Sequence, residues 1–223
     1  MYDFHTHTFL SDGVLAPIEL IRRAVVNGYK VLGITDHVGP GNMENVVKSL
    51  TKDCNLANSK WDIQALPGVE LTHVPIEEID RLALEARLLG ARIVNVHGET
   101  ITEPVEKGTN LAAVSSKNVD LLAHPGLIDI ESASIAATND VFLEISARRG
   151  HAFTNGHVAR MARCVGAKMI LDSDAHLPDE LLTNDFAMKV ALGAGLSKHE
   201  SEYLLNVAPK TFLRKIESSI HTS

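Results

Sequence analysis

The sequence predicts an α/β protein of one domain, built of seven parallel β/α units in a barrel arrangement. Three observations carry this expectation. Short apolar, β-rich runs alternate with segments of helical period along the chain, as in parallel strands joined by crossover helices, not hairpins or bundles. The 223 residues suit one such barrel, which needs about 200 or more, better than two smaller domains. Finally, the residue types that ligate metals recur where the strands end.

The strands are expected over Tyr2–His5, Lys30–Thr35, Ile63–Val69, Arg92–Val96, Val119–Ala123, Val141–Ile145 and Lys168–Leu171, all short and rich in branched residues. After the first, Pro17 suits a first helical position and Gly28 a helix terminus, with Ile18, Ile21, Ala24 and Val25 on one face. Glu77–Leu89 repeats the pattern with Ile79, Leu82, Ala83 and Ala86, ending at Gly90. Asn155–Val165, closed by Gly166, does so again. Past the seventh strand, two helical segments over about 180–217 pack on the barrel, the second opened by Ser197 and Glu200 in capping-box spacing. No eighth strand follows. Two connections exceed what joining requires, His37 to Asp62 with its GPGN turn and Gly98 to Asn110; long connections in compact domains tend to be functional.

Composition excludes several classes of function. Hydrophobic residues at 45% and charged residues at 22% allow burial to offset the entropy of ordering, which argues against disorder. A net charge of −7 disfavours a broad surface for duplex nucleic acid or an anionic membrane. Cys54 and Cys164 stand far apart with no metal-type or disulfide-type spacing, and both read as packing residues. No apolar run approaches 18 residues, and Asp3, His5 and His7 interrupt what a signal peptide would need, so a cytoplasmic protein without a membrane span is expected.

The metal-type residues all fall at one end of the units. DFHTH places His5 and His7 at the first strand end, GITDH places Asp36 and His37, PGVE places Glu70, VNVHGE places His97 and AHPG places His124. FLEIS carries Glu144, and LDSDAH ends the seventh strand with Asp174 and His176. Parallel strands bring their C-terminal ends to one face, where β/α barrels build their sites, so these residues should converge. Alternation puts residues i and i+2 on the same side, which makes His5 with His7, and Asp174 with His176, chelating pairs. Six of the eleven histidines sit at strand ends, which chance placement does not explain. Zinc takes about four ligands and other first-row cations rarely exceed about six, so a set of this size implies two or three ions.

HTHTFLSDG with TDH, the GVE glutamate with VHGE, AHPG, and DSDAH occur in that order over nearly the whole chain, and together they resemble the PHP superfamily of polymerase and histidinol phosphatase domains. The resemblance is greatest to its small, stand-alone, histidinol-phosphatase-like branch. It implies a distorted, seven-stranded TIM-like (β/α) barrel, a single PHP domain over 1–223, with a trinuclear site of zinc, manganese or iron. In the family pattern His5, His7, Glu70 and Asp174 hold one ion, Glu70 bridges to a second held by His97 and His124, and Asp12, His37 and His176 hold the third. Asp12 departs from the histidine that other members carry near this place.

Arg148, Arg149 and Lys107 are candidates for the substrate phosphate, Arg148 foremost, because an arginine at the active face ahead of a helix N-terminus can fork onto phosphate oxygens. Glu144 either orients a ligand histidine or caps the next turn, and Asp172 either supports a ligand from behind or is structural. His73, His199 and His221 lie off the pattern and read as solvated; His151 and His157 read as surface residues that could face substrate. Three divalent ions against Asp12, Glu70 and Asp174 leave the cup at about +3, which draws phosphate to an otherwise acidic protein. The expected activity is hydrolysis of a small phosphate monoester by metal-activated water, carried by His5, His7, Glu70, Asp174, His176 and Arg148. A proofreading-type nuclease or phosphodiesterase could use the same metals but would want an aromatic, basic groove, and aromatics are only 4%. An amidohydrolase would want a bridging lysine where this chain has His97, and an eighth strand. A non-catalytic metal-binding scaffold is the remaining alternative.

Overall fold

Eight parallel strands form seven staves of a barrel in the computed structural model, which describes residues 1–218. The strands are β1 (Tyr2–Asp3), β2 (Val31–Ile34), β3 (His37–Val38), β4 (Gln64–Leu71), β5 (Ile93–His97), β6 (Leu121–Ala123), β7 (Phe142–Ser146) and β8 (Met169–Asp172). Their order around the wall is β1-β2-β4-β5-β6-β7-β8, with β3 beside β4. β2 and β3 make one stave, interrupted at Thr35 and Asp36: Val31 to Ile34 pair with Gln64 to Pro67, then His37 and Val38 with Glu70 and Leu71. The wall closes past the ends of the first and last staves, where Thr6 bridges Ala175, His7 N donates to Ala175 O and Asp174 N donates to His5 O.

Alternation along the staves explains where the site lies. One apolar residue from each stave, Phe4, Val31, Leu66, Ile93, Leu121, Phe142 and Ile170, meets its counterparts inside the barrel. Counting two or four residues onward along four of these staves reaches Glu70, His97, Glu144 and Asp174, so the period that fills the floor also lines the mouth. β1 and β6 break the period. Their His5, His7 and His124 lie on irregular backbone just past the strands.

The helices are α1 (Pro17–Val26), α2 (Met43–Lys60), α3 (Ile79–Leu89), α4 (Thr109–Ser115), α5 (Ile130–Asn139), α6 (Asn155–Val165), α7 (Asn184–Gly193), α8 (Lys198–Asn206) and α9 (Ala208–Ser218). They bury their apolar faces against the outside of the wall as one continuous core. α9 instead plugs the barrel floor: the Phe212 ring meets Phe4 at 4.8 Å and Phe142 at 5.0 Å, and Ile216 is fully buried.

Several sequence expectations are corrected. The stretch after His37 is not a long functional loop but mostly α2, whose Met43, Val46, Val47, Leu50, Cys54 and Ala57 are buried at helical spacing beneath a polar outer face. The expected helix from Glu77 begins as a 3₁₀ turn and becomes α at Ile79. Among the described residues three helices, not two, follow the last strand, because the chain turns at Val207 between α8 and α9. The Ser197 cap forms with its reciprocal Glu200 bond at 2.7 Å. None of the described helices is long and apolar enough to cross a membrane.

Candidate metal centre

The mouth is assembled by three loop devices. Asp36, fully buried in the break between β2 and β3, accepts from Thr8 N and Thr8 Oγ1, each at 2.7 Å, and from Ser11 Oγ at 2.6 Å. This folds the 8–13 segment back so that Asp12 reaches the rim. Glu99 fixes the loop after β5: its Oε1 accepts from Gly108 N and Asn110 N, while Asn110 Oδ1 accepts from Glu99 N. Glu144 holds two histidines from beneath, accepting from His124 N at 2.8 Å and lying 2.7 Å from His5 Nδ1. That contact leaves His5 Nε2 to face the mouth, the arrangement by which carboxylates orient ligand imidazoles.

Around this frame the side chains converge. Glu70 is fully buried at the centre, with His5 Nε2 at 3.2 Å, His7 Nε2 at 3.5 Å, His37 Nδ1 at 2.8 Å and His124 Nε2 at 3.4 Å. Asp174 approaches His7 Nε2 at 3.2 Å and His124 Nε2 at 3.7 Å. On one side Asp12 Oδ1 meets His176 Nε2 at 3.0 Å and His37 Nε2 at 3.6 Å. On the other Glu103 Oε2 meets His97 Nε2 at 3.1 Å and Oε1 meets His151 Nε2 at 3.5 Å. Asp174 and His124 adopt left-handed backbone, with φ of 53° and 29°, a conformation that side chains other than glycine hold only when the surroundings impose it. The pocket at the mouth is small, about 60 Å³, and polar. A mainly apolar cleft of about 290 Å³ between the start of β8, α8 and α9 contains none of these residues.

The residues fit divalent cations. Both Glu70 oxygens, both His7 nitrogens, His5 Nε2 and His176 Nε2 are buried without a hydrogen-bond partner, a costly state for a protein group unless a ligand takes them. Groups of donor atoms within 4.8 Å of one another include His5–His7–Asp174, His7–Asp12–His37–His176 and His97–His124–His151. Imidazole and carboxylate are the donors that zinc, manganese and iron take. In the polypeptide alone the site is electrostatically tense. Burial would strip His5 of its proton, but the charges of Glu144, Glu70 and Asp174 overcome it and hold its pKa well above the usual value. Burial and the neighbouring His37 and His5 push His7 well below. Against its own burial, Glu70 is kept well below the carboxylate range by His5 and His37.

The structure brings His5, His7, Asp12, His37, Glu70, His97, His124, Asp174 and His176 together, with Arg148 at the edge. Arg148 donates to Asp174 O at 3.1 Å and lies 2.5 Å from His176 Nδ1. Arg149 is exposed outside this pocket, and Lys107 lies in a separate hollow with Glu99 and Leu111. Asp172 accepts from Phe4 N at 2.7 Å and ties the barrel closure. His157 is engaged with Ile128 O, whereas His151, expected at the surface, is buried in the pocket. His73 is half-exposed and reaches Glu103 at 3.5 Å, and His221 lies outside the described residues. Glu103 went unnoticed in the sequence; its only signal was membership of the unusually long 98–110 connection.

A closed β/α barrel whose mouth gathers imidazoles and carboxylates fit for cations defines the class. Within that class, the PHP domain model matches residues 3–90. A Methanocaldococcus jannaschii protein named "Uncharacterized protein MJ1295" is 48% identical over 216 residues, covering 96% of this chain and 99% of that one. The Escherichia coli K12 protein named "Probable phosphatase YcdX" is 28% identical over 239 aligned positions, covering 97% and 94%. A chain in the structure of archaeal ribonuclease P with mature tRNA shares the fold at a TM-score of 0.66 and 14% identity, covering 97% of this chain and 89% of its own. The chain belongs to the PHP family.

Proposed function

We propose that this protein is a metal-dependent phosphatase that hydrolyses a small phosphate monoester, of the histidinol phosphate kind, at a centre of three divalent cations. His5, His7, Glu70 and Asp174 would hold the first, Glu70 with His97 and His124 the second, and Asp12, His37 and His176 the third. One observation carries the reading: Glu70, without a hydrogen-bond partner and fully buried, has four imidazole nitrogens within 3.5 Å. The name of the E. coli relative agrees with it. Divalent cations in such a set make water nucleophilic near neutral pH and offset phosphoryl charge.

The chain's own residues supply the rest. Arg148, about a quarter exposed with a guanidinium already at the pocket edge, turns onto the phosphate oxygens. Glu144 fixes the tautomer of His5, and the small pocket admits a phosphoryl group while leaving the alcohol portion outside. Water attacks phosphorus, the ester P–O bond breaks, and a proton passes to the departing alkoxide. No serine or cysteine nucleophile is needed, so no phosphoprotein forms.

The test is a screen of cation-reconstituted protein against phosphomonoesters, including histidinol phosphate and nucleotides, beside a bis-ester. Turnover of monoesters that disappears in His97→Ala and Asp174→Ala supports the proposal. A preference for the bis-ester, or a trapped phosphoprotein, would overturn it in favour of phosphodiesterase or covalent chemistry.

A further inference from the structure

Besides Arg148, two residues in the pocket stand outside the nine-residue pattern, Glu103 and His151, and their setting is that of ligands. His151 is 5% exposed at the start of the 3₁₀ turn His151–Thr154. Its Nδ1 is 2.8 Å from Thr100 Oγ1 and 3.3 Å from Thr102 Oγ1, both on the loop after β5. With Nδ1 donating to that hydroxyl, Nε2 carries the lone pair and points into the mouth, 3.8 Å from Asp174 Oδ2. The ring stacks on His124 at 4.0 Å, and the donor nitrogens of His97, His124 and His151 all lie within 4.8 Å of one another. Imidazole nitrogens that all turn lone pairs inward have no N–H among them to offer one another; a shared cation satisfies all three.

Glu103 comes from the same loop. Pro104 disfavours helical backbone at Glu103, and the Glu99 bonds to Gly108 and Asn110 hold the loop's base. Its two oxygens then face His97 and His151, and Oε2 also lies 3.5 Å from His73.

We propose that His151 and Glu103 bind the cation shared by His97 and His124, so that this position has three imidazoles, the bridging Glu70 and a loop carboxylate. This rests on the reading of the mouth as a metal centre. With more protein ligands than its neighbours, this position retains its ion longest. Glu103, alone among these ligands on an exposed loop, is the one a phosphoryl oxygen replaces.

The test uses the full chain loaded with Co²⁺, with visible absorption and cobalt content followed as a chelator is titrated. Glu103→Gln keeps the shape of a side chain that is 39% exposed, and His151→Phe keeps the stack on His124. In each variant one equivalent should leave at chelator concentrations lower by at least about tenfold, the size of effect that losing even an orienting group produces, with a changed cobalt spectrum for that equivalent. Release profiles and spectra identical to the parent overturn the proposal. Should His151→Phe fail to fold, Glu103→Gln decides alone. A parent that binds no cobalt removes the metal-centre reading itself, and this inference with it.

Discussion

Glu144 shows how much a single buried carboxylate can organise. One oxygen lies against His5 Nδ1 and the other accepts from His124 N, so both lone-pair faces are used. Glu144→Gln must turn an amide NH₂ toward one of two donors and lose that bond. Cation affinity is therefore expected to fall by about 10- to 100-fold, read by chelator competition, through the two histidines that it positions. The sequence located this glutamate at the sixth strand but left its role open, because whether a carboxylate orients or caps depends on a partner 139 residues away. Asp3 makes a different point. Burial pushes its carboxyl up to about 7, and its Oδ2 has no partner. A raised acid keeps its proton in the folded protein while the unfolded chain releases it from about pH 4, so its burial destabilises progressively as pH rises toward 7. In cation-free protein, urea midpoints should show Asp3→Asn gaining on the parent over that window; parallel curves would contradict the assignment.

At the scale of elements, the staves were legible, whereas α2, α4 and α5 were not. Branched runs bounded by turn residues mark each stave to within a few residues, since a strand buried on both faces leaves few alternatives to apolar side chains. α2 was hidden because its inner face is thin and its outer face rich in Lys, Asn and Ser, so periodicity alone had to speak over composition. Its burial is nonetheless complete at Leu50, where truncation to Ala is expected to cost about 2–5 kcal/mol, measurable as a shift in denaturant midpoint at unchanged slope. The motif glycines also acquire reasons only in three dimensions. Gly126, at φ +61°, passes so close to the loop after β5 that a Cβ would sit 1.8 Å from Glu99 O. Gly126→Ala should therefore push away the loop that carries Glu103, and limited proteolysis within 99–108 would report it. The sequence held the histidine of AHPG in view and could not show that its glycine seats a neighbouring loop.

Across the whole molecule, fold and site share one energetic problem. Seven staves are tied at the floor by α9 and apolar packing, whereas the mouth is tied by like-natured imidazoles and carboxylates whose buried donor atoms lack partners. The packing of the floor is complete within the chain, whereas a cation that binds the folded mouth and not the unfolded chain would add to stability. Convergence was readable from the sequence because parallel topology sends every strand end to one face, but the membership of Glu103 and His151 was not, since both stand on irregular segments where spacing carries no direction. Cation removal is thus expected to act globally. Each site filled at 100 times its Kd adds about 2.7 kcal/mol, and for a chain of this size 1 kcal/mol moves Tm by about 2–4 °C. Chelation should lower Tm by about 5 °C or more per site emptied, and readdition of zinc or manganese should restore it. The same treatment of Glu70→Gln, which lacks the buried charge at the centre of the site, should move Tm far less, and an equal shift in that variant would place the stabilising cations elsewhere in the protein.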